Sequence, residues 1–221
     1  MAEAVQILYE EMRWTGRFVI LPPKVIEMPE EVSKAEALKK IRERLEACKC
    51  CPLCESARHI VFGEGSPDAD IMFIGEAPGA VEDKTGRPFV GPAGRLLTDI
   101  IEKGMGLKRG DVYIANIVKC RPPGNRDPLP EEIRQCIGFL EEQINVIRPK
   151  VIVALGKIAA QTLLDTDVPI TGLRGSFHEY HGIKVMPTFH PSYLLHNQAK
   201  KREVWEDIKK VMQLLDIPLP R

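Results

Sequence analysis

Apolar residues along the chain fall into two patterns that alternate. IMFI (71–74), VYIANIV (112–118), VIVAL (151–155) and IKVMPTF (183–189) are short, nearly unbroken runs of strand length. Between them apolar residues recur three and four apart, as in LPEEIRQCIGFLEEQINVI (129–147). This predicts strands over 70–75, 111–118, 150–156 and 183–189, and helices over 91–104, 129–147, 157–164 and 199–215. Pro92 suits the first turn of its helix, and Gly104 its end. Strands without polar alternation are buried on both faces, and with helices between them they form a covered parallel sheet. The predicted fold class is therefore α/β: a four-stranded parallel sheet with helices on both faces.

The beginning of the chain differs. Residues 1–32 show scattered apolar positions, adjacent prolines at 22 and 23, and no sustained period. They are expected to form an N-terminal arm, partly ordered at best, ahead of a catalytic domain over 33–221. From Ser33, SKAEALKKIRERLEAC places Leu38, Ile41 and Leu45 on one helical face, with Ser33 and Glu36 spaced as a capping box.

Right-handed crossovers put all four strand ends on one edge of such a sheet, where ligands bind. The first strand exits into GEAPG, the second at Asn116 into KCRPPGNR, the third into LGK and the fourth into FHPSYLL. One crevice then gathers an acidic loop, an amide, a histidine and basic residues. A P-loop, a G-x-G-x-x-G turn after the first strand and a G-x-S-x-G elbow are all absent, so nucleotide-phosphate cradling and serine hydrolysis have no support.

Composition changes the picture little. The 221 residues are 44% hydrophobic, with 31 Lys+Arg against 31 Asp+Glu, so wholesale electrostatic capture of nucleic acid is not expected. No run approaches the ~18 apolar residues of a membrane span. Acidic residues stand where a signal peptide would be basic, so a cytoplasmic protein is expected.

The six cysteines change it more. Cys48, Cys50, Cys51 and Cys54 crowd together, Cys120 follows the second strand and Cys136 lies in the next helix. Thiols from separated segments of an unexported chain suit an iron–sulfur cluster or a zinc site. Spacing alone leaves two C-x-x-C pairs open, Cys48/Cys51 and Cys51/Cys54.

VFGEGSPDADIMFIGEAPGAVEDKTGRPFVGPAG, NIVKCRPPGNRDP and FHPSYLL, with these cysteines, resemble the family 4 uracil-DNA glycosylases, from about Cys48 to the last helix. The resemblance implies an enzyme that flips uracil out of DNA and hydrolyses its glycosidic bond, leaving an abasic site for base excision repair. It implies a [4Fe–4S] cluster on Cys48, Cys51, Cys120 and Cys136, with Cys50 and Cys54 spare. It puts Glu76, Ala77 and Glu82 around the base, Phe89 beneath it, Asn116 on its O4 and N3–H edge, and His190 on O2. Glu76 is the candidate water activator and Asp83 the fallback, because Ala77 stands where other branches have aspartate. Arg121, Arg126, Leu194, Leu195, Lys200 and Arg202 are the expected DNA contacts, with Lys119 also facing phosphates. His196 replaces an arginine common in the family. The implied partners are uracil-containing DNA, single- or double-stranded, and free uracil as product, with the protein acting as a monomer. Relatives that trap abasic DNA covalently carry a histidine-ended insertion after the second strand, and KCRPPGNRDP has no histidine.

Overall fold

The computed structural model describes residues 33–219; the expected arm over 1–32 lies outside the described residues. Helix α1 (Lys34–Glu46) begins at Ser33, whose Oγ accepts from the Glu36 amide at 3.2 Å, one half of the predicted capping box. Its buried Ala37, Leu38, Ile41 and Leu45 pack toward helix α5 (Pro130–Ile147). The short helix α2 (Leu53–Ser56) follows α1 in the chain, ahead of the first strand.

The sheet has six strands: β1 (Glu64–Gly65), β2 (Ile71–Gly75), β3 (Tyr113–Asn116), β4 (Val151–Leu155), β5 (His178–Tyr180) and β6 (Ile183–Thr188), in the order β1-β3-β2-β4-β6-β5. The four predicted strands are its parallel centre. Antiparallel β1 and β5, which carry no apolar run, are added at the edges.

Alternate residues of β2 serve two cores, as the two-residue period of a strand requires. Met72 and Ile74 join Ala115, Ile152, Leu140 and Ala159 on one face. Ile71 and Phe73 join Ile114, Val153, Leu97 and Val211 on the other. Helices α1, α5 and α6 (Lys157–Leu164) contribute to the first core. Helices α4 (Pro92–Asp99) and α9 (Lys201–Leu214) contribute to the second. The predicted helix over 91–104 has the right length, but its last turn, Ile100–Gly104, is π-helical. Three short helices complete the layers: α3 (Ala80–Thr85), α7 (Ile170–Leu173) and α8 (Pro191–His196). Among the described residues no helix is long and apolar enough to cross a membrane.

Candidate active site

The parallel strands end at Gly75, Asn116, Leu155 and Thr188 on one edge, with Gly75 and Asn116 partnered in register. A cleft of about 470 Å³ opens there. Glu76 and Ala77 reach it from β2, Asn116 from β3, Lys157 from the start of α6 and His190 from the loop after β6. The predicted base-binding residues Glu76, Ala77, Glu82, Phe89, Asn116 and His190 all line this one cleft.

Phe89 is held in an unfavourable backbone conformation. Its φ of 50° is left-handed, which costs a residue with a large side chain ~1–3 kcal/mol unless its surroundings enforce it. Glu82 Oε1 accepts from the amides of Val90 (2.9 Å) and Gly91 (2.8 Å), tying α3 to the loop just past the ring. Arg109 donates to the Pro88 carbonyl at 2.7 Å on the other side. At Gly94 any Cβ would overlap the Phe89 carbonyl, so only glycine lets α4 lie this close. Glu82 therefore lies in the cleft as expected, and its carboxylate fastens the Phe89 loop.

Asn116 is 1% exposed, and its Oδ1 has no hydrogen-bond partner. Among the described residues it is the sole buried side-chain oxygen or nitrogen left unpaired. Such an atom costs ~1–3 kcal/mol in the folded protein. A Cβ on Gly75 would fall 2.6 Å from Oδ1 and strike the Phe89 ring, so the glycine lets ring and amide meet.

His190 is the N-cap of α8. Its Nδ1 accepts from the Ser192 amide at 3.2 Å and lies 2.7 Å from Ser192 Oγ. Burial pulls its pKa down to about 4, with the Glu82 charge opposing. The ring is therefore neutral near pH 7, and the bond from Ser192 assigns its proton to Nε2. The rings of His190 and Phe89 are 5.6 Å apart. Behind this loop, Thr188 Oγ1 donates to Asp207 at 2.6 Å, and Arg174 pairs with the same carboxylate.

Glu76 is half-buried. Burial raises its pKa to about 7, the Asp127 charge adds to this, and Lys157 opposes it. Asp83, the alternative, is not among the residues lining the cleft. It is 3% exposed, and its Oδ1 accepts from the amides of Arg58 (2.8 Å) and His59 (3.5 Å), holding the segment before β1.

The outer residues divide. Leu195 is 40% exposed at the cleft, but Leu194 is 1% exposed in the second core because α8 turns it inward. Lys119 is also buried, at 0% exposure, its Nζ donating to Gln143 Oε1 at 2.7 Å, and it cannot face phosphates. Arg126 lines the cleft and makes a two-pronged pair with Glu132 at 2.8 and 2.7 Å. Arg121 on the same loop bonds the neutral Asn125 Oδ1 at 2.7 Å. Lys200 pairs with Glu203 at 2.6 Å, and Arg202 is exposed. Lys157 and Ser192 are cleft residues that sequence reasoning had not singled out. Their signals were present: a lysine directly after the third strand, and a serine two positions beyond the histidine.

All six cysteines line a second, small pocket walled by Leu45, Leu53, Ile60 and Val118. They are free thiols; Cys120 and Cys136 are buried and Cys50 is exposed. Burial pushes Cys48 up to about 11 and Cys120 up to about 12, and raises Cys51 and Cys136. Metal-binding thiolates would therefore need a cationic centre to stabilise them. Sulfur-directed amides are in place: Lys119 N–H donates to Cys136 Sγ at 3.3 Å and Cys50 N–H to Cys48 Sγ at 3.4 Å. Among the described residues no three His, Cys, Asp or Glu side chains are grouped to hold one metal ion.

The family model described as "Uracil DNA glycosylase superfamily" matches residues 62–209. The type-4 uracil-DNA glycosylase of Thermotoga maritima is 49% identical over 187 residues, covering 83% of this chain and 97% of that protein. The type-4 enzyme of Sulfurisphaera tokodaii is 44% identical over 191 residues, 83% of this chain and 87% of its own length. A type-5 uracil-DNA glycosylase of Thermus thermophilus is more distant, 36% identical over 63% of this chain and 76% of its own. The cleft lies inside the matched span, and the chain belongs to the uracil DNA glycosylase superfamily, in its type-4 branch.

Proposed function

We propose that the protein is a uracil-DNA glycosylase, which takes uracil out of the DNA stack and hydrolyses its bond to deoxyribose. The observation that carries this reading is the unpaired Asn116 amide, buried in the cleft beside the Phe89 ring. Natural proteins rarely leave such an atom without a partner unless a ligand supplies one. An asparagine amide offers one donor and one acceptor, the complement of uracil O4 and N3–H. Phe89 gives the flat base a stacking surface, and the cleft holds it away from the duplex.

Cleavage leaves negative charge on the departing uracil, and a preorganised donor at O2 is the main contribution this site can make. Neutral His190 with its proton on Nε2 is that donor. Burial keeps the ring neutral before substrate arrives, and a neutral imidazole with its proton on Nε2 can already donate to O2. Glu76, balanced between its two forms near pH 7, is the group that takes a proton from the attacking water.

Cys48, Cys51, Cys120 and Cys136 are the residues that would hold a [4Fe–4S] cluster. The apolar walls, the raised thiols and the two sulfur-directed amides fit an anionic, multi-iron group. When bound, the cluster supplies structural bracing, joining the end of α1, the loop after β3 and α5.

The test is single-turnover cleavage of a uracil-containing oligonucleotide, followed by alkaline scission. His190→Ala should lower the rate ~100-fold or more with DNA affinity largely unchanged, as expected when a transition-state donor is removed. A variant as fast as wild type would remove His190 from the mechanism. No cleavage by the wild type of uracil opposite guanine, opposite adenine or unpaired would overturn the function.

A further inference from the structure

Lys119 is a fully buried cation whose one side-chain hydrogen bond goes to a neutral amide, Gln143 Oε1 at 2.7 Å. That amide is oriented by its other end, since Gln143 Nε2 donates to the Phe62 carbonyl at 3.0 Å and to Tyr113 Oη at 3.1 Å. The ion pairs among the described residues do not include Lys119, and the titratable group that acts on it is the Cys136 thiol, neutral until it binds a metal. The same residue donates its backbone N–H to Cys136 Sγ and forms part of the wall of the thiol-lined pocket. An ammonium enclosed in this way is strongly unfavourable without an anion nearby. A fold that keeps one there points to a negative group in the pocket.

We propose that the Lys119 ammonium is the built-in counter-charge of the iron–sulfur cluster, raising its reduction potential and protecting it from oxidative loss. This rests on the reading that the four cysteines hold a cluster. Four thiolates give a [4Fe–4S] group net negative charge, and each added electron increases it. A buried cation two helical turns along α5 from Cys136, enclosed with the thiols in a low-dielectric region, therefore stabilises the more reduced form more than the more oxidised one. The competing role is structural, a lysine that only joins the end of β3 to α5 through Gln143.

Two variants separate these roles. Lys119→Met removes the charge at similar length. Gln143→Glu makes the same change in local charge while leaving the lysine a partner. The full chain is purified without oxygen, iron and sulfide are assayed, and the one-electron potential is read by protein-film voltammetry. Both variants should have potentials lower by at least about 59 mV, a tenfold change in the one-electron equilibrium constant, and should bleach faster in air. If Lys119→Met does not retain the cluster, Gln143→Glu decides. Potentials matching wild type would overturn the counter-charge, even if Lys119→Met melted earlier. Wild-type protein lacking iron and sulfide would overturn the cluster reading itself, and the proposal with it.

Discussion

His190 does two things with opposite sides of one ring. Capping α8 occupies Nδ1, and that ordinary structural bond leaves the proton on Nε2. Glu76 has no such partner, and its ionisation is the more sensitive to pH. Its folded-state pKa, raised from 4.5 to about 7, lies above that of the unfolded chain, so between those values the folded form keeps a proton the unfolded form has lost. Its contribution to stability is intact below the unfolded value and is lost as pH rises through about 7. Glu76→Gln has no ionisation, so relative to wild type it should gain stability across that window, as read by urea unfolding at its two ends. The same substitution should flatten the rise of the wild-type single-turnover rate through that pH range; an unchanged rise would exclude Glu76 as the base. Asn116 gives a prediction about specificity. Asn116→Asp sets a second acceptor against uracil O4 with no proton between them. Uracil cleavage should fall by at least about tenfold, the cost of a buried unpaired polar group. The cytosine amino group would gain an acceptor, so slow release of cytosine from unpaired DNA should become measurable. Uracil cleavage equal to wild type would show that this side chain does not read the base.

The proposed cluster ligands stand on three separate segments: Cys48 and Cys51 around the start of α2, Cys120 after β3, and Cys136 in α5. Metal binding across separated segments is folding free energy, so losing a ligand should resemble destabilisation. Cys48→Ser, Cys120→Ser and Cys136→Ser should lose both iron and solubility, while Cys54→Ser stays brown; iron content and visible absorbance check this. Bleaching by Cys54→Ser with Cys48→Ser unaffected would reverse the assignment of the first pair. The elements themselves differ in how openly the sequence declares them. Strands β2, β3 and β4 are buried at every position, so their apolar runs are visible without context. Strands β1 and β5 have two and three residues of mixed exposure and exist through their pairing with β3 and β6. Helix α3 is hidden because its acids and flanking glycines resemble an irregular loop. The residues at the cleft edge could be read because a parallel sheet gathers its strand ends. The left-handed Phe89 could not, since Glu82, Arg109 and Gly94 impose that conformation from different segments. Leu194 and Lys119 were misplaced for a related reason. The direction in which α8 and the chain after β3 turn each side chain is set by packing, which neither a motif match nor a place in a basic loop carries.

At the scale of the whole molecule, equal numbers of acidic and basic residues mean that DNA must be held by local charge. The same balance makes the pairing of each basic group decisive. Arg126 is already neutralised by a two-pronged bond to Glu132, and Lys200 by Glu203. Arg121 bonds only a neutral amide, and Arg202 is exposed at the start of α9. Each phosphate contact on a duplex releases condensed counterions and adds about 0.9 to the slope of log K against log salt. A cation that must leave a carboxylate to reach DNA gives back part of that release. Arg121→Ala and Arg202→Ala should therefore each flatten the slope by about 0.9, while Arg126→Ala and Lys200→Ala flatten it by less than half as much. Fluorescence anisotropy on a uracil-containing duplex at several salt concentrations measures this in the His190→Ala background, where cleavage is slow and DNA affinity is largely unchanged. Equal slopes for all four variants would mean that the Arg126–Glu132 and Lys200–Glu203 pairs open on DNA, and that pairing in the free protein does not rank the contacts.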